Sequence, residues 1–418
     1  MTLNKKIILI FTIIFNLLLV NSCSNNQEKD LPKEITYESD SEIIADPKGT
    51  LDIVSVENYE PATKPTSVGI DGMIYGTGHK NTLWRANNAF EEMEIKTDDN
   101  VYDFKSDGYG TPYFVTKTAS GYVVVTDGEG EKNRGAIYYS EEFDRDYTLK
   151  KEFTSDHTPI MFGNTWYHGE YKPEQIVLIA ERGDGKGKLW ATFDGGKSWD
   201  NIRTAEMYDD EYQLHHHTAV YDPYQGRIWN SQGDGPNASI YISDDMGKSW
   251  RDISVETELD HTQLQPTLLA PTIHTLIYGG DSGGTRVGLL EIPRDKEFEN
   301  NEENFQLKRA IGVWDQQPTY RQYATAPYAK DGSEIYIALP SMYDDEKPVF
   351  IVGSGDHGRT FHLLATHHSE PLEYGEQLSH GIVGPDKDGY LYGIWDTAAN
   401  KKAMVVFDPP DWETISLD

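Results

Sequence analysis

Cysteine is nearly absent from this chain: Cys23 is the single one among 418 residues. That excludes an intrachain disulfide framework, and because Cys23 ends a leader-like segment it also leaves no cysteine catalysis or thiolate metal site. Basic residues are the second shortage. There are 37 Lys and Arg against 69 Asp and Glu, a formal net charge of −32 at pH 7, so a basic groove tracking nucleic-acid phosphates is not expected. The His-Glu-x-x-His spacing of helical zinc sites is missing too. Two glycine-rich stretches, Arg182-Gly183-Asp184-Gly185-Lys186-Gly187 and Asp281-Ser282-Gly283-Gly284, lack the strand-to-helix context of a phosphate loop. They read as connections between strands and do not argue for a nucleotide.

Aromatic residues and glycine, by contrast, are plentiful. With 26 Tyr, 9 Trp and 37 Gly, the chain has the material for a large core and many tight turns. It opens with Lys5-Lys6 and an apolar run from Ile7 to Val20, short for a bilayer span and long enough for the core of a signal peptide. The run ends Val20-Asn21-Ser22-Cys23, which resembles the cleavage box of bacterial lipoproteins. The resemblance implies a signal peptide over residues 1–22 and a lipidated, palmitate-bearing Cys23 as membrane anchor. It also implies a location facing the periplasm or the cell surface, with the outer membrane favoured. Residues 23–48 are polar and unpatterned and read as a tether. Residues 49–418 then form the folded domain.

Self-similarity is the strongest signal in that domain. Thr192-Phe193-Asp194-Gly195-Gly196-Lys197-Ser198-Trp199, Ser243-Asp244-Asp245-Met246-Gly247-Lys248-Ser249-Trp250 and Ser354-Gly355-Asp356-His357-Gly358-Arg359-Thr360-Phe361 all fit Ser/Thr-x-Asp-x-Gly-x-Ser/Thr-aromatic. The pattern describes a hairpin: the carboxylates of Asp194, Asp245 and Asp356 accept local hydrogen bonds, a glycine takes the turn, and the aromatic enters the core. This repeat resembles the Asp-box, or BNR repeat, of sialidase-like β-propellers. Asp194 and Asp245 lie 51 positions apart and Asp245 and Asp356 lie 111 apart, so the wider gap holds a unit without a box. Four apolar or alternating runs per unit place blades near 65–97, 109–153, 156–204, 214–255, 264–313, 320–365 and 376–417. The expected fold is therefore all-β, a seven-bladed propeller with Asp-box hairpins. Thr50 to Val56 supplies one more strand, with no indication of the blade it joins.

In such a propeller the first strand of each blade lines the channel, and the edge opposite the boxes is the usual ligand face. First strands begin at His157, His215-His216-His217, Gln265, Tyr320-Arg321-Gln322-Tyr323 and Ser379-His380. Loops between second and third strands add Arg134, Arg182, Asp184, Asp234, Asp281, Arg286, Asp344 and Asp345. Period-two alternation puts His215 and His217 on one face of their strand and His216 on the other. Three converging imidazoles would suit a zinc ion and the acidic rim a calcium ion, so a structural or catalytic divalent metal stays open while no cofactor is required.

The resemblance to the sialidase-like superfamily does not extend to sialidase chemistry. That chemistry uses an arginine triad, an early Arg-Ile-Pro and a Tyr–Glu pair, whereas no Arg-Ile-Pro occurs here and Arg294 follows Pro293. The residue kinds at the mouth are closer to bacterial propeller polysaccharide lyases of the ulvan lyase type. That similarity implies His215 or His217 as base, Tyr320 or Tyr323 as proton donor or base and Arg321 neutralising a uronate carboxylate. His157, His380, Arg182, Arg286 and Arg134 would bind the substrate. The expected partners are a polysaccharide or oligosaccharide and, through Cys23, a membrane. An exo-acting glycoside hydrolase and a non-catalytic glycan-binding or assembly propeller are the alternatives.

Overall fold

The computed structural model describes residues 53–415 apart from 58–61, 79–80, 98–99, 129, 154–160, 163–174, 182–186, 206–214, 234–237, 254–265, 281–288, 294–305, 309, 312–331, 340–348, 368–381, 398–400 and 409. All fall in the unit Ile44–Asp418. Strand β1 (Ile53–Glu57) comes first. Sheet I follows with β2 (Ala62–Val68), β3 (Ile74–Gly78), β4 (Leu83–Asn87) and β5 (Glu92–Lys96). Sheet II has β6 (Pro112–Lys117), β7 (Tyr122–Thr126), β8 (Ala136–Ser140) and β9 (Thr148–Glu152). Sheet III has β10 (Met161–Phe162), β11 (Val177–Ala180), β12 (Lys188–Thr192) and β13 (Asp200–Thr204). Sheet IV has β14 (His215–Asp222), β15 (Arg227–Gly233), β16 (Ser239–Ser243) and β17 (Arg251–Asp252). Sheet V has β18 (Pro266–Pro271), β19 (Thr275–Gly280), β20 (Leu289–Pro293) and β21 (Gln306–Lys308). Sheet VI gathers β22 (Ala310–Ile311), β23 (Ile335–Leu339), β24 (Val349–Ser354) and β25 (Phe361–His367). Sheet VII gathers β26 (Ile382–Val383), β27 (Leu391–Thr397), β28 (Lys401–Phe407) and β1.

Sheets I to V are four-stranded meanders in chain order, within three residues of the ranges expected from the repeats. Sheets VI and VII depart from that plan in informative ways. In sheet VI, β22 lies outside β25 and parallel to it, while the first strand expected at Tyr320–Tyr323 lies outside the described residues. In sheet VII the fourth place is filled by β1, antiparallel to β28 with Ser55 opposite Val406 and Glu57 opposite Met404. The early strand whose blade the sequence left open therefore completes the last sheet, and one sheet joins both ends of the described chain.

The burial gradient across each sheet explains its sequence. Middle strands such as Tyr122–Thr126, Ala136–Ser140 and Ser239–Ser243 are buried at every position, because neighbouring sheets cover both faces and β-branched and aromatic side chains fill the gap. Fourth strands are polar and largely solvated, as in Thr148–Glu152 and Asp200–Thr204. First strands approach first strands: β2 meets β6 and β26, and β14 meets β10 and β18. Apolar clusters join neighbouring sheets, including Ile74 and Trp84 of sheet I with Tyr392 and Val406 of sheet VII.

The three boxes form the predicted hairpins, each between the third and fourth strand. In the second, Asp245 Oδ1 accepts from the Ser243 hydroxyl at 2.8 Å and from Ser249 N–H at 2.8 Å, and Oδ2 accepts from the Ser249 hydroxyl at 2.7 Å. Gly247, at φ +88°, donates its N–H to Ser243 Oγ, a conformation that favours glycine. The boxes also reach the preceding sheet. Thr118 and Ser120, in the first turn of sheet II, donate to the carbonyls of Gly195 and Asp194 in the sheet III box. Sheet I has no box, yet its Asn88 and Ala89 N–H groups donate to Asp386 and the Tyr392 hydroxyl of sheet VII.

Hydrogen bonds from Ser249 and Ser243 lower the Asp245 carboxyl to about 2. Its folded value lies below the unfolded value of about 3.9, so its stabilising contribution is complete above that pH and lost as pH falls toward about 2. Asp245→Ala should lower the urea midpoint at pH 6, and the gap from the parent should close near pH 2. A gap independent of pH would remove the charge from the explanation.

Candidate functional site

The starts of first strands and the ends of second strands lie on the edge opposite the boxes. There β14 opens with three consecutive histidines, all buried. His216 stands opposite Gln232 and Thr218 opposite Ser231, so His217 is an extra residue in a β-bulge. The His215 and His217 rings lie together, centroids 4.8 Å apart and planes inclined at 56°, as the alternation predicted despite the bulge. Gly233 makes room for them: a Cβ there would stand 2.4 Å from His217 Cε1.

His216 points the other way. Its Nδ1 lies 3.1 Å from Asn230 Oδ1 and its Nε2 3.1 Å from the Gly187 carbonyl. Complete burial, helped by the charge of Arg203, drives its imidazole down to about 3, so the ring is neutral. Arg203, at the end of β13, lies with its guanidinium 3.4 Å from the Tyr241 ring centroid and donates from Nη2 to Gln232 Oε1 at 3.4 Å. Beside this group the fully buried Glu181 accepts Trp190 Nε1–H at 2.7 Å and Lys188 N–H at 3.3 Å.

The same bulge recurs on other first strands. Pro112 pairs with Thr126 and Phe114 with Val125, which leaves Tyr113 as the extra residue. Pro266 pairs with Gly280 and Leu268 with Gly279, which leaves Thr267. Tyr113 and His217 thus hold equivalent places. Lys64 of β2 sits with Nζ 3.2 Å from the Tyr113 ring centroid, and burial followed by the Asp127 charge raises the Tyr113 phenol. Arg134 lies in the connection from β7 to β8, half-buried, its Nε enclosed without a hydrogen-bond partner among the described residues.

Of the residues expected at the site, the structure places His215, His217 and Arg134 on this edge, and it puts Asp194, Asp245 and Asp356 in the boxes. His157, Arg182, Arg286, Tyr320, Arg321, Tyr323, His380 and Cys23 lie outside the described residues. Among the described residues no group of three His, Cys, Asp or Glu side chains is placed to hold a metal ion. Lys64, Tyr113, Glu181 and Arg203 were not anticipated. The available signals were slight: a carboxylate closing the apolar run Val177–Ala180, and aromatic or cationic residues where first strands begin.

No protein-family model matches the chain. Over 78 residues, 19% of this chain and 39% of the other, it is 28% identical to an uncharacterised protein of Saccharomyces cerevisiae. Among solved structures it is similar to a GH74 enzyme of Niastella koreensis, with a TM-score of 0.54 and 13% identity over 84% of this chain and 53% of that one. The GH74 xyloglucanase of Xanthomonas campestris gives a TM-score of 0.53 and 12% identity over 85% and 53%. The Cps50 (Swd1) β-propeller domain of Myceliophteria thermophila gives 0.51 and 10% over 85% and 99%. The chain spans about half the length of each GH74 protein. At such identities the likeness is one of fold, and that fold is all-β and of the β-propeller kind.

His216 provides a pH test of this edge. Its folded value of about 3 lies below the unfolded value of about 6.5, so between them the unfolded chain binds a proton that the folded chain does not. Stability should fall as pH drops from 6.5, by up to about 1.4 kcal/mol per pH unit from this group. His216→Gln keeps an amide for hydrogen bonding and should flatten that slope in urea titrations between pH 7 and 4.5. An unchanged slope would mean that the ring is not buried neutral.

Proposed function

We propose that the seven sheets are the blades of a closed propeller with Asp-box hairpins, exported and anchored through Cys23, whose mouth acts on a polysaccharide. The reaction we assign is β-elimination from a uronate-containing chain. The observation that carries this reading is the pair of imidazoles at 4.8 Å on one face of a first strand. His217, or His215 through it, removes the uronate C5 proton. The C4–O bond breaks as the C4–C5 double bond forms, and the departing oxygen takes a proton from Tyr320 or Tyr323. Arg321 offsets the carboxylate charge that otherwise makes the C5 proton hard to remove. His157, His380, Arg134, Arg182 and Arg286 hold the sugar chain around them.

Hydrolysis is the second reading, and the likeness to GH74 enzymes favours it. It calls for two carboxylates flanking the bond, and Glu181 is a buried carboxylate of the neighbouring sheet III, its oxygens accepting from Trp190 Nε1–H and Lys188 N–H. A glycan-binding propeller without catalysis is the third.

The test incubates the soluble chain from residue 24 with uronate polymers and with neutral glycans such as xyloglucan, following the ultraviolet absorbance of the unsaturated uronate and counting reducing ends in parallel. Absorbance rising with reducing ends is the expected result, and His217→Ala should cut kcat/KM by about 100-fold or more with the β-sheet circular-dichroism spectrum retained. Reducing ends without absorbance assign hydrolysis instead. Retained ligand with neither signal leaves a binding protein.

A further inference from the structure

The cleft between sheets II and III carries three lysines that no carboxylate neutralises. In β9, Lys151 stands opposite Ile137 and Leu149 opposite Tyr138, which leaves Lys150 as the extra residue of a bulge. Two consecutive lysines thereby turn toward sheet III. Lys150 Nζ lies 5.3 Å from the Tyr139 ring centroid and Lys151 Nζ 5.4 Å from that of Trp190, and both rings belong to the apolar cluster that joins the two sheets. Lys188, the first residue of β12, brings a third ammonium to 5.1 Å from the same indole. The rings themselves are fixed, since the Tyr139 hydroxyl donates to the Ser120 carbonyl at 2.8 Å and Trp190 Nε1–H to the buried Glu181 at 2.7 Å. β9 ends and β12 begins on the edge opposite the boxes, so the cleft opens beside the mouth.

All three side chains are half-buried. Among the described residues none of their ammonium groups has an ion-pair or hydrogen-bond partner, and none is enclosed away from solvent. Glu152, the next residue of β9, turns to the opposite face, where it adds to burial in raising the Tyr109 phenol. Elsewhere the acidic chain does neutralise its bases: Lys96 meets Glu94 and Asp144, and Arg227 meets Asp244. A ring face answers an ammonium only diffusely, and an anionic oxygen is its stronger acceptor. Three cations gathered on a chain of net charge −32 are also where a polyanion meets least repulsion.

We propose that Lys150, Lys151 and Lys188 form a track for an anionic polysaccharide, binding carboxylates or sulfates of the polymer where it passes from the mouth into the cleft between sheets II and III. The proposal rests on the reading of this edge as a glycan site and adds the acidic class of its ligand. The lysines bind the polymer and take no part in proton transfer.

The test measures binding rather than turnover, by calorimetry and affinity electrophoresis of the soluble chain from residue 24 at several salt concentrations. Its ligands are a polyuronate without sulfate, a sulfated neutral glucan and xyloglucan. Lys150→Met, Lys151→Met and Lys188→Met combined should weaken binding of an anionic polymer by about 10-fold or more and flatten its salt dependence, while the three Lys→Arg changes combined retain it. Each anionic polymer that shows the loss identifies an acidic group the track accepts. Should the triple Met variant lose its β-sheet circular-dichroism spectrum, Lys151→Met alone decides, with a loss of about 3-fold expected. Anionic binding unchanged by the Met substitutions overturns the track and leaves the glycan reading standing. Binding of xyloglucan alone also overturns the track and directs the glycan reading to neutral polymers. Failure of the parent to bind any of the three overturns the glycan reading and the track with it.

Discussion

Among the described residues the middle strands of the sheets are buried on both faces, and that single constraint governs the rest of the architecture. A strand such as Ala136–Ser140, buried at every position, cannot serve as the solvated face of a lone sheet and needs an apolar partner on either side. The clusters that tie Tyr75 and Leu83 to Val124 and Tyr138, or Tyr336 and Ile351 to Leu391 and Val405, are that requirement met. They also explain β1. Without it, β28 would present unpaired N–H and C=O groups along an edge of apolar residues, and Ile53–Glu57 covers that edge.

The boxes follow from the same constraint at the margins of the sheets. A turn between two strands leaves backbone donors that the ladders do not satisfy, and Asp194, Asp245 and Asp356 take them up within the turn. The second use of the box is between sheets, where Thr118 and Ser120 donate to the carbonyls of Asp194 and Gly195. Sheet I shows that the role is what persists rather than the motif. Asp386, in the first turn of sheet VII, gathers the N–H of Asn88 together with the hydroxyl of Tyr392, a carboxylate tying two turns by a different route. These carboxylates are occupied by structure, which separates them from chemistry at the opposite edge.

That division also decides what could be read from the sequence. The strand grammar was legible because it repeats: three boxes and turns such as Asp222–Gly226 mark the register of the sheets, and Gly226 N–H closes its turn on the Asp222 carbonyl. The shared face of His215 and His217 was legible from alternation alone. The place of β1 was not, since pairing with β28 joins residues some 350 positions apart and no local pattern encodes it. Lys64 and Tyr113 were hidden for a related reason. Their meeting depends on a bulge and on contact between two first strands, and neither leaves a periodic trace. Glu181 leaves no mark in the sequence, because an isolated acid ending an apolar run looks like a solvated strand end until Trp190 is seen bonded to it.

The bulges link the fold to its chemistry. A regular strand turns alternate side chains to opposite faces, so two consecutive residues cannot serve the same mouth. Inserting one residue breaks that rule once and re-aims the side chain beside it. The first strands of sheets II, IV and V each make this insertion within two residues of their starts, at Tyr113, His217 and Thr267. Gly233 then supplies the space that the His217 ring needs. A hydroxyl, a phenol and an imidazole at equivalent places can differ freely, because the ladder resumes at Phe114, Thr218 and Leu268 whatever the bulged residue is. The architecture thus sets these three side chains at one position per strand, on the edge the boxes leave free.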